Sequence, residues 1–225
     1  MDSSPMTHDH APLAGRLITQ PVSSSLLIRI TQRSRKCEEQ GLPDIAVPAV
    51  QGKFLNLLLR SIGAKRVLEL GTLGGYSTIW LARALPDDGE VVTMELLEKY
   101  AKVAAENIEA AGVSNKVKII VGRAIDELQK LKPSPPFDMV FIDADKPSSL
   151  DYFIEAKRLT RPGGVIIVDN VVQYGQVANP DYSDHMVEGV RRLMNAIKTD
   201  TDVDTTVIQT VGTKGHDGFL YAFRR

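Results

Sequence analysis

Residues 140–147 read VFIDADKP, an apolar run that ends on Asp143 and Asp145 with Lys146 directly behind them. One helical crossover later a second apolar run, GGVIIVDN, ends on Asp169 and Asn170. Neighbouring parallel strands would bring those two ends to the same rim. Asp143, Asp169 and Asn170 are oxygen donors with no cysteine or histidine among them. That set suits a hard divalent ion such as Mg²⁺, with Mn²⁺ or Ca²⁺ as alternatives, and leaves positions for water or substrate oxygens. A hydroxyl bound to such an ion gives up its proton more easily. Lys146 is then a candidate general base for that proton; the plain alternative is a solvated surface lysine. Asp145 is expected to orient Lys146 or a ligand, or to cap the turn.

A second constellation lies upstream in ELGTLGGYS, residues 69–77. Gly71, Gly74 and Gly75 allow a backbone to approach a ligand closely, and a helix is expected to start near Ser77, whose hydroxyl can cap it or touch the ligand. The next apolar run, EVVTMEL, ends on Glu95, a carboxylate suited to accept both hydroxyls of an adenosine ribose. The spacing is GxxGG and not GxGxxG, so the turn that cradles a pyrophosphate is not reproduced. Glu69, just before the turn, would repel a phosphate and welcome a cation. S-adenosylmethionine meets these demands: it carries a ribose, no phosphate, a sulfonium and an ammonium group.

The elements that must carry these residues follow from the punctuation. KRVLELG, EVVTMEL, KVKIIVG, FDMVFIDAD and GGVIIVDN read as buried strands, the last preceded by a turn at Pro162, Gly163 and Gly164. They alternate with helical patterns, and their apolar runs lack in/out alternation, so a parallel sheet covered on both faces is expected. TTVIQTV and GFLYAFRR, joined by a short loop, GTKGHD, have too little chain between them for a crossover and should form an antiparallel hairpin. Upstream, QGKFLNLLLRSIG reads as a helix, and so does SSSLLIRITQRSRKCEEQG. Residues 1–20 are expected to be a flexible arm, and 21–225 a single domain with an N-terminal helical extension.

With 225 residues, 43% hydrophobic and 24% charged, the chain has an ample core. The net charge of −1 offers no general attraction to nucleic acid or membrane, and no apolar stretch approaches a membrane span. The single cysteine, Cys37, excludes an internal disulfide and suits a reducing compartment such as the cytoplasm. From His10 to Cys37 there is no acidic residue, a composition that leaves mitochondrial import open.

VLELGTLGGYSTIWLA, the acid of VVTMEL, FDMVFIDADK and GGVIIVDNV, in that order, resemble the cation-dependent O-methyltransferases. These are the caffeoyl-CoA O-methyltransferase group, with catechol O-methyltransferase as a relative. The resemblance covers roughly residues 45–225. It implies a Rossmann-like class I methyltransferase fold, α/β, with a seven-stranded mostly parallel sheet, an antiparallel last strand and helices on both faces. It implies Asp143, Asp169 and Asn170 as metal ligands and Lys146 as the catalytic lysine. It also implies that Val47, Glu69, Gly71, Thr72, Gly75, Ser77, Glu95, Ala124 and Asp143 line an S-adenosylmethionine site. A homodimer built partly from the N-terminal helices belongs to the same resemblance.

The expected reaction is methylation of one hydroxyl of an aromatic vicinal diol of catechol, caffeoyl or flavonoid type. The segment VQYGQVANPDYSDH departs from the family pattern. Asp181, Asp184 and His185 within it are read first as loop or helix-cap residues. Tyr174 is a candidate wall of an acceptor pocket, as is Trp80, although the helical spacing of Trp80 favours the core. Three rival readings remain: an aspartyl phosphotransferase using the DxD pair, a nicotinamide dehydrogenase weakened by the missing GxGxxG, and a non-catalytic cofactor-binding partner protein.

Overall fold

The computed structural model describes residues 41–212 and 215–225. The arm at 1–20, the helix expected over 23–41, Cys37 and the proposed N-terminal dimer helices lie outside or at the edge of the described residues. Helix α1 (Ala49–Ser61) is followed by five strand–helix units. These are β1 (Arg66–Leu70) with α2 (Tyr76–Ala84), β2 (Glu90–Glu95) with α3 (Glu98–Ala110), and β3 (Val117–Val121) with α4 (Ala124–Lys130). Next come β4 (Phe137–Ile142) with α5 (Ser149–Leu159) and β5 (Thr160–Val168) with α6 (His185–Ile197). The hairpin β6 (Val203–Gly212) and β7 (Gly215–Arg224) closes the chain.

The seven strands form one sheet in the order β3-β2-β1-β4-β5-β7-β6. β7 pairs antiparallel with both its neighbours, and the other pairings are parallel. The mixed sheet with a reversed last strand therefore matches the expectation from the sequence.

The unbroken apolar runs have a direct cause. Successive side chains of a strand point to opposite faces, and both faces of this sheet are covered. Leu68, Leu70, Val92, Met94, Val140, Ile142, Ile166 and Val168 pack towards Phe153 and Ala156 of α5 and Val190 and Leu193 of α6. The alternate residues Val67, Val91, Met139, Phe141, Val165 and Ile167 pack towards Leu55 and Leu59 of α1, Ile79 and Leu81 of α2 and Ile108 of α3.

Two expectations need correction. Pro162, Gly163 and Gly164 form no turn before β5 but an irregular stretch inside it: the register jumps from Phe137–Thr160 to Met139–Val165, with Gly163 at φ 75°. The closing hairpin also runs further than expected. Gly212 pairs with Gly215, so His216 and Asp217 belong to β7 and not to a loop.

Strand order reverses between β1 and β4, the position where open α/β sheets bind ligands beyond the carboxyl ends of their strands. The rim there is tied strand to strand. Gly71 N donates to Met94 O at 3.0 Å, Asp143 N to Leu70 O at 2.8 Å, and Asp169 N to Ile142 O at 2.9 Å. The residues singled out for chemistry thus follow one another along a single edge.

Candidate functional site

Asp143 and Asp169 leave adjacent strands in register, each one residue past the last ladder pair, Ile142–Val168. Asp169 is almost fully buried. Burial, reinforced by the negative charge of Asp143, pushes its carboxyl up to about 7, against the opposing influence of Lys146. Two carboxylates set against one lysine still gain from further positive charge, which a cation would supply. Asn170 follows in a left-handed conformation, φ 55°, and its N–H donates to Asp169 Oδ1 at 2.9 Å. Among the described residues no trio of His, Cys, Asp or Glu is arranged to hold a metal, so the candidate set remains two carboxylates and one carboxamide.

Lys146 is no surface lysine. It is 6% exposed, and its Nζ donates to Asp143 Oδ1 at 3.1 Å. It opens a short 3-10 turn, Lys146–Ser148, held from α6. Arg192 Nη2 donates to Pro147 O at 2.7 Å, and Gly189 faces the Lys146 carbonyl so closely that an added Cβ would lie 2.2 Å from its oxygen. Asp145 turns away from this group. It accepts the Ser148 hydroxyl at 2.6 Å and the Tyr152 phenol, and so fastens the turn to α5.

On the β1 side, Gly71 adopts φ 95°, and a Cβ there would fall 2.0 Å from the carbonyl oxygen of Asp143. The glycine is demanded by a neighbouring strand end as well as by any ligand. Gly75, at φ 78°, precedes α2, which has no side-chain cap; Ser77 lies inside the helix and does not cap it.

Glu69 is fully buried on β1 and accepts the hydroxyls of Thr78 and Thr93, both on Oε2, while its Oε1 has no partner. Burial lifts its pKa to about 7 even though the nearby hydroxyls of Ser77, Thr78 and Thr93 favour the anion. Thr72 turns inward: its hydroxyl lies 2.6 Å from that of Thr93.

Glu95, at the end of β2, accepts Leu73 N at 2.8 Å on Oε2 and Leu97 N at 3.0 Å on Oε1. Each oxygen keeps a lone pair for a further donor. Ala124 begins α4 just after Gly122, whose N–H donates to Glu95 O at 2.9 Å. Val47 is buried in the apolar layer that holds Ile79 and Phe219.

The remaining candidates divide cleanly. Trp80 is a core residue, packed against Gly52, where an added Cβ would lie 2.5 Å from the indole. Asp184 is the N-cap of α6, accepting Val187 N at 2.8 Å; Asp181 is exposed. His185 is the first residue of that helix. Tyr174 stands exposed on the segment after β5, its ring edge-on to His216 at 5.6 Å.

Sequence reasoning missed two residues of this edge. Gln51 of α1 stands close enough to favour the ionised form of Asp169, yet its buried Nε2 has no partner at hydrogen-bonding geometry. Asp217 of β7 accepts from Asn170 Nδ2 at 3.2 Å. Neither offers a local pattern; both arrive by tertiary packing.

Comparison with known proteins adds an independent line. A family model described as O-methyltransferase matches residues 21–222. The chain is 48% identical over 186 residues to a catechol O-methyltransferase of Niastella koreensis, covering 82% of this chain and 84% of that protein. It is 50% identical over 185 residues to a catechol O-methyltransferase of Mycobacterium tuberculosis, covering 82% and 83%. Among solved structures, the O-methyltransferase TomG of Streptomyces achromogenes, in complex with SAM, superposes with a TM-score of 0.84 at 47% identity. That match covers 94% of this chain and 93% of the other.

Proposed function

This chain belongs to the O-methyltransferase family, and on that premise we propose that it transfers the methyl group of S-adenosylmethionine to one hydroxyl of an aromatic vicinal diol. Its fold is the Rossmann-like class I methyltransferase fold. In this reading a divalent cation is held by Asp143, Asp169 and Asn170. The observation that carries the proposal is a buried lysine against a strand-end carboxylate, with a second buried carboxylate on the next strand.

The residues fit both groups. For the cation, the donor set is oxygen only, and burial together with the Asp143 charge raises the Asp169 carboxyl to about 7 even with Lys146 nearby. For the nucleoside, the unpartnered Glu69 Oε1 and the free lone pairs of Glu95 await donors, and neither carboxylate would tolerate a phosphate. A bound divalent ion would supply acidification of the acceptor hydroxyls. S-adenosylmethionine would supply a methyl group on a positively charged sulfur that leaves as a neutral thioether.

The chain's own residues perform the rest. Asp143 holds Lys146 Nζ within 3.1 Å, at the rim where the acceptor oxygen must lie, and the lysine, acting as the neutral amine, receives the proton that oxygen releases and becomes the ammonium. The acceptor oxygen then forms its bond to the methyl carbon. Glu95, braced by two backbone N–H groups, orients the ribose, and Glu69 offsets the cationic charge in a dry setting. Tyr174, beyond β5, lines the acceptor side. Fixed orientation of this kind is worth about 7–11 kcal/mol of barrier. Asp145 is committed to Ser148 and Tyr152, which leaves a DxD phosphotransferase without its acid/base.

The test is methyl transfer from labelled S-adenosylmethionine to catechol, caffeate and a flavonoid diol, each beside its monohydroxy analogue. Methylation of the diols alone supports the proposal; equal rates on the monohydroxy compounds would refute diol recognition. A homodimer is part of the same proposal, and light scattering on the full chain tests it.

A further inference from the structure

The carboxamide of Asn170 poses a question that the two aspartates do not. A carboxylate presents oxygen whichever way it turns, but an asparagine presents oxygen at one corner and NH₂ at the other. Only the oxygen can face a cation, and what the NH₂ bonds to decides the orientation. Here the NH₂ meets a carboxylate: Asn170 Nδ2 donates to Asp217 Oδ2 at 3.2 Å.

Asp217 is itself held still. Its other oxygen, Oδ1, accepts three backbone N–H groups: Val172 at 3.0 Å, Gln173 at 2.8 Å and its neighbour Gly218 at 2.8 Å. Val171 N adds a backbone bond to Gly218 O at 2.9 Å, so the chain leaving β5 is laced to β7 around this one side chain. The next residues of that chain, Gln173, Tyr174 and Gly175, are all left-handed, with φ of 48°, 56° and 85°. A sharp turn thus starts from the carboxylate that also takes the Asn170 amide.

We infer that Asp217 is a positioning residue with two separable duties. Through Oδ2 it fixes the Asn170 amide with its oxygen available to the cation, and through Oδ1 it anchors the segment that carries Tyr174. The inference rests on the reading of Asn170 as a cation ligand. A partner that can only accept is what makes the orientation unique, and orienting partners of metal ligands act in this way.

Because the duties fall on different oxygens, one substitution separates them. In Asp217→Asn the side-chain carbonyl can keep the three backbone N–H groups, while its NH₂ opposes that of Asn170. Reversing both residues, Asn170→Asp with Asp217→Asn, restores a donor–acceptor pair and leaves an oxygen for the cation.

The experiment measures Mn²⁺ affinity by electron paramagnetic resonance on the full chain, together with S-adenosylhomocysteine affinity and the melting temperature without metal. Asp217→Asn is expected to weaken Mn²⁺ binding by about 10–100-fold, with little change in the other two readouts. The double variant is expected to recover most of the loss. Wild-type Mn²⁺ affinity in Asp217→Asn, or a double variant no better than the single one, overturns the inference while the cation reading stands. So does a single variant that loses fold and nucleoside binding along with the metal. A wild-type chain that binds no Mn²⁺ overturns the cation reading first, and this inference with it.

Discussion

Lys146 and Asp143 are joined within one turn beyond β4, Nζ to Oδ1, with the lysine buried and the aspartate partly open. The pair sets an amino group beside one of two neighbouring carboxylates, at the rim formed by the strand ends.

Replacing the lysine should therefore separate chemistry from binding. Lys146→Ala is expected to lower kcat by about 10²–10⁴-fold, the usual worth of a positioned general base. S-adenosylhomocysteine affinity by calorimetry should stay near that of the wild type. Undiminished turnover in the variant removes the lysine from the mechanism.

Chelation offers an orthogonal check. Treatment with EDTA is expected to abolish methylation of the diol, and added Mg²⁺ to restore it. Asp169→Ala should resist restoration, since it removes the carboxylate that burial and Asp143 hold near 7. A chelated enzyme of full activity contradicts the proposed cation role.

Glu69 predicts a pH dependence with a definite sign. Burial raises its carboxyl from the usual 4.5 to about 7, so the folded state binds this proton more tightly than the unfolded chain does. Its effect on stability is absent below about pH 4.5 and grows as pH rises to 7. Beyond that the folded protein carries the whole cost of a buried anion, on the order of 3 kcal/mol at 1.36 kcal/mol per unit. In ligand-free protein, the stability of Glu69→Gln relative to wild type should thus rise between pH 5 and pH 8. Urea denaturation at the two pH values measures it, and a flat difference shows that the buried charge is relieved by another route.

Gly189 carries the fourth prediction. A methyl group there meets the Lys146 carbonyl at 2.2 Å, backbone against side chain, with no flexible atom to yield. Gly189→Ala should cost about 1–3 kcal/mol of stability through overpacking. It should also cut kcat by about 10²-fold, since a displacement near 1 Å is enough to misalign a reacting group. Denaturation and steady-state kinetics on the same preparation read both effects.

Much of this site could be read before any coordinates, for a physical reason. A strand buried on both faces writes itself as an apolar run, and the first polar residues after it mark the rim. Asp143, Asp169 and Glu95 announced themselves in that way. What stayed hidden depends on contacts distant in the chain. Asp217 falls within GTKGHD, which reads as a loop, whereas the hairpin ladder continues through His216 and Asp217 to the Gly212–Gly215 pair. Gln51 and Gly189 sit on helices whose polar or small residues have no sequence signature for the neighbour they meet. Thr72 falls inside a recognisable motif, but its hydroxyl faces Thr93, a direction that spacing does not encode.

The fit of Gly71 under the Asp143 carbonyl makes the proposed nucleoside half and the proposed cation half of this edge share one wall of backbone. The Asp143 N–H bond to Leu70 O, at 2.8 Å, ties the two strand ends at the same point. Thermodynamic linkage then requires reciprocity: by whatever factor one ligand changes the hold on the other, the other changes the hold on the first. Any coupling between the two loadings would thus pass through the junction of two neighbouring strand ends.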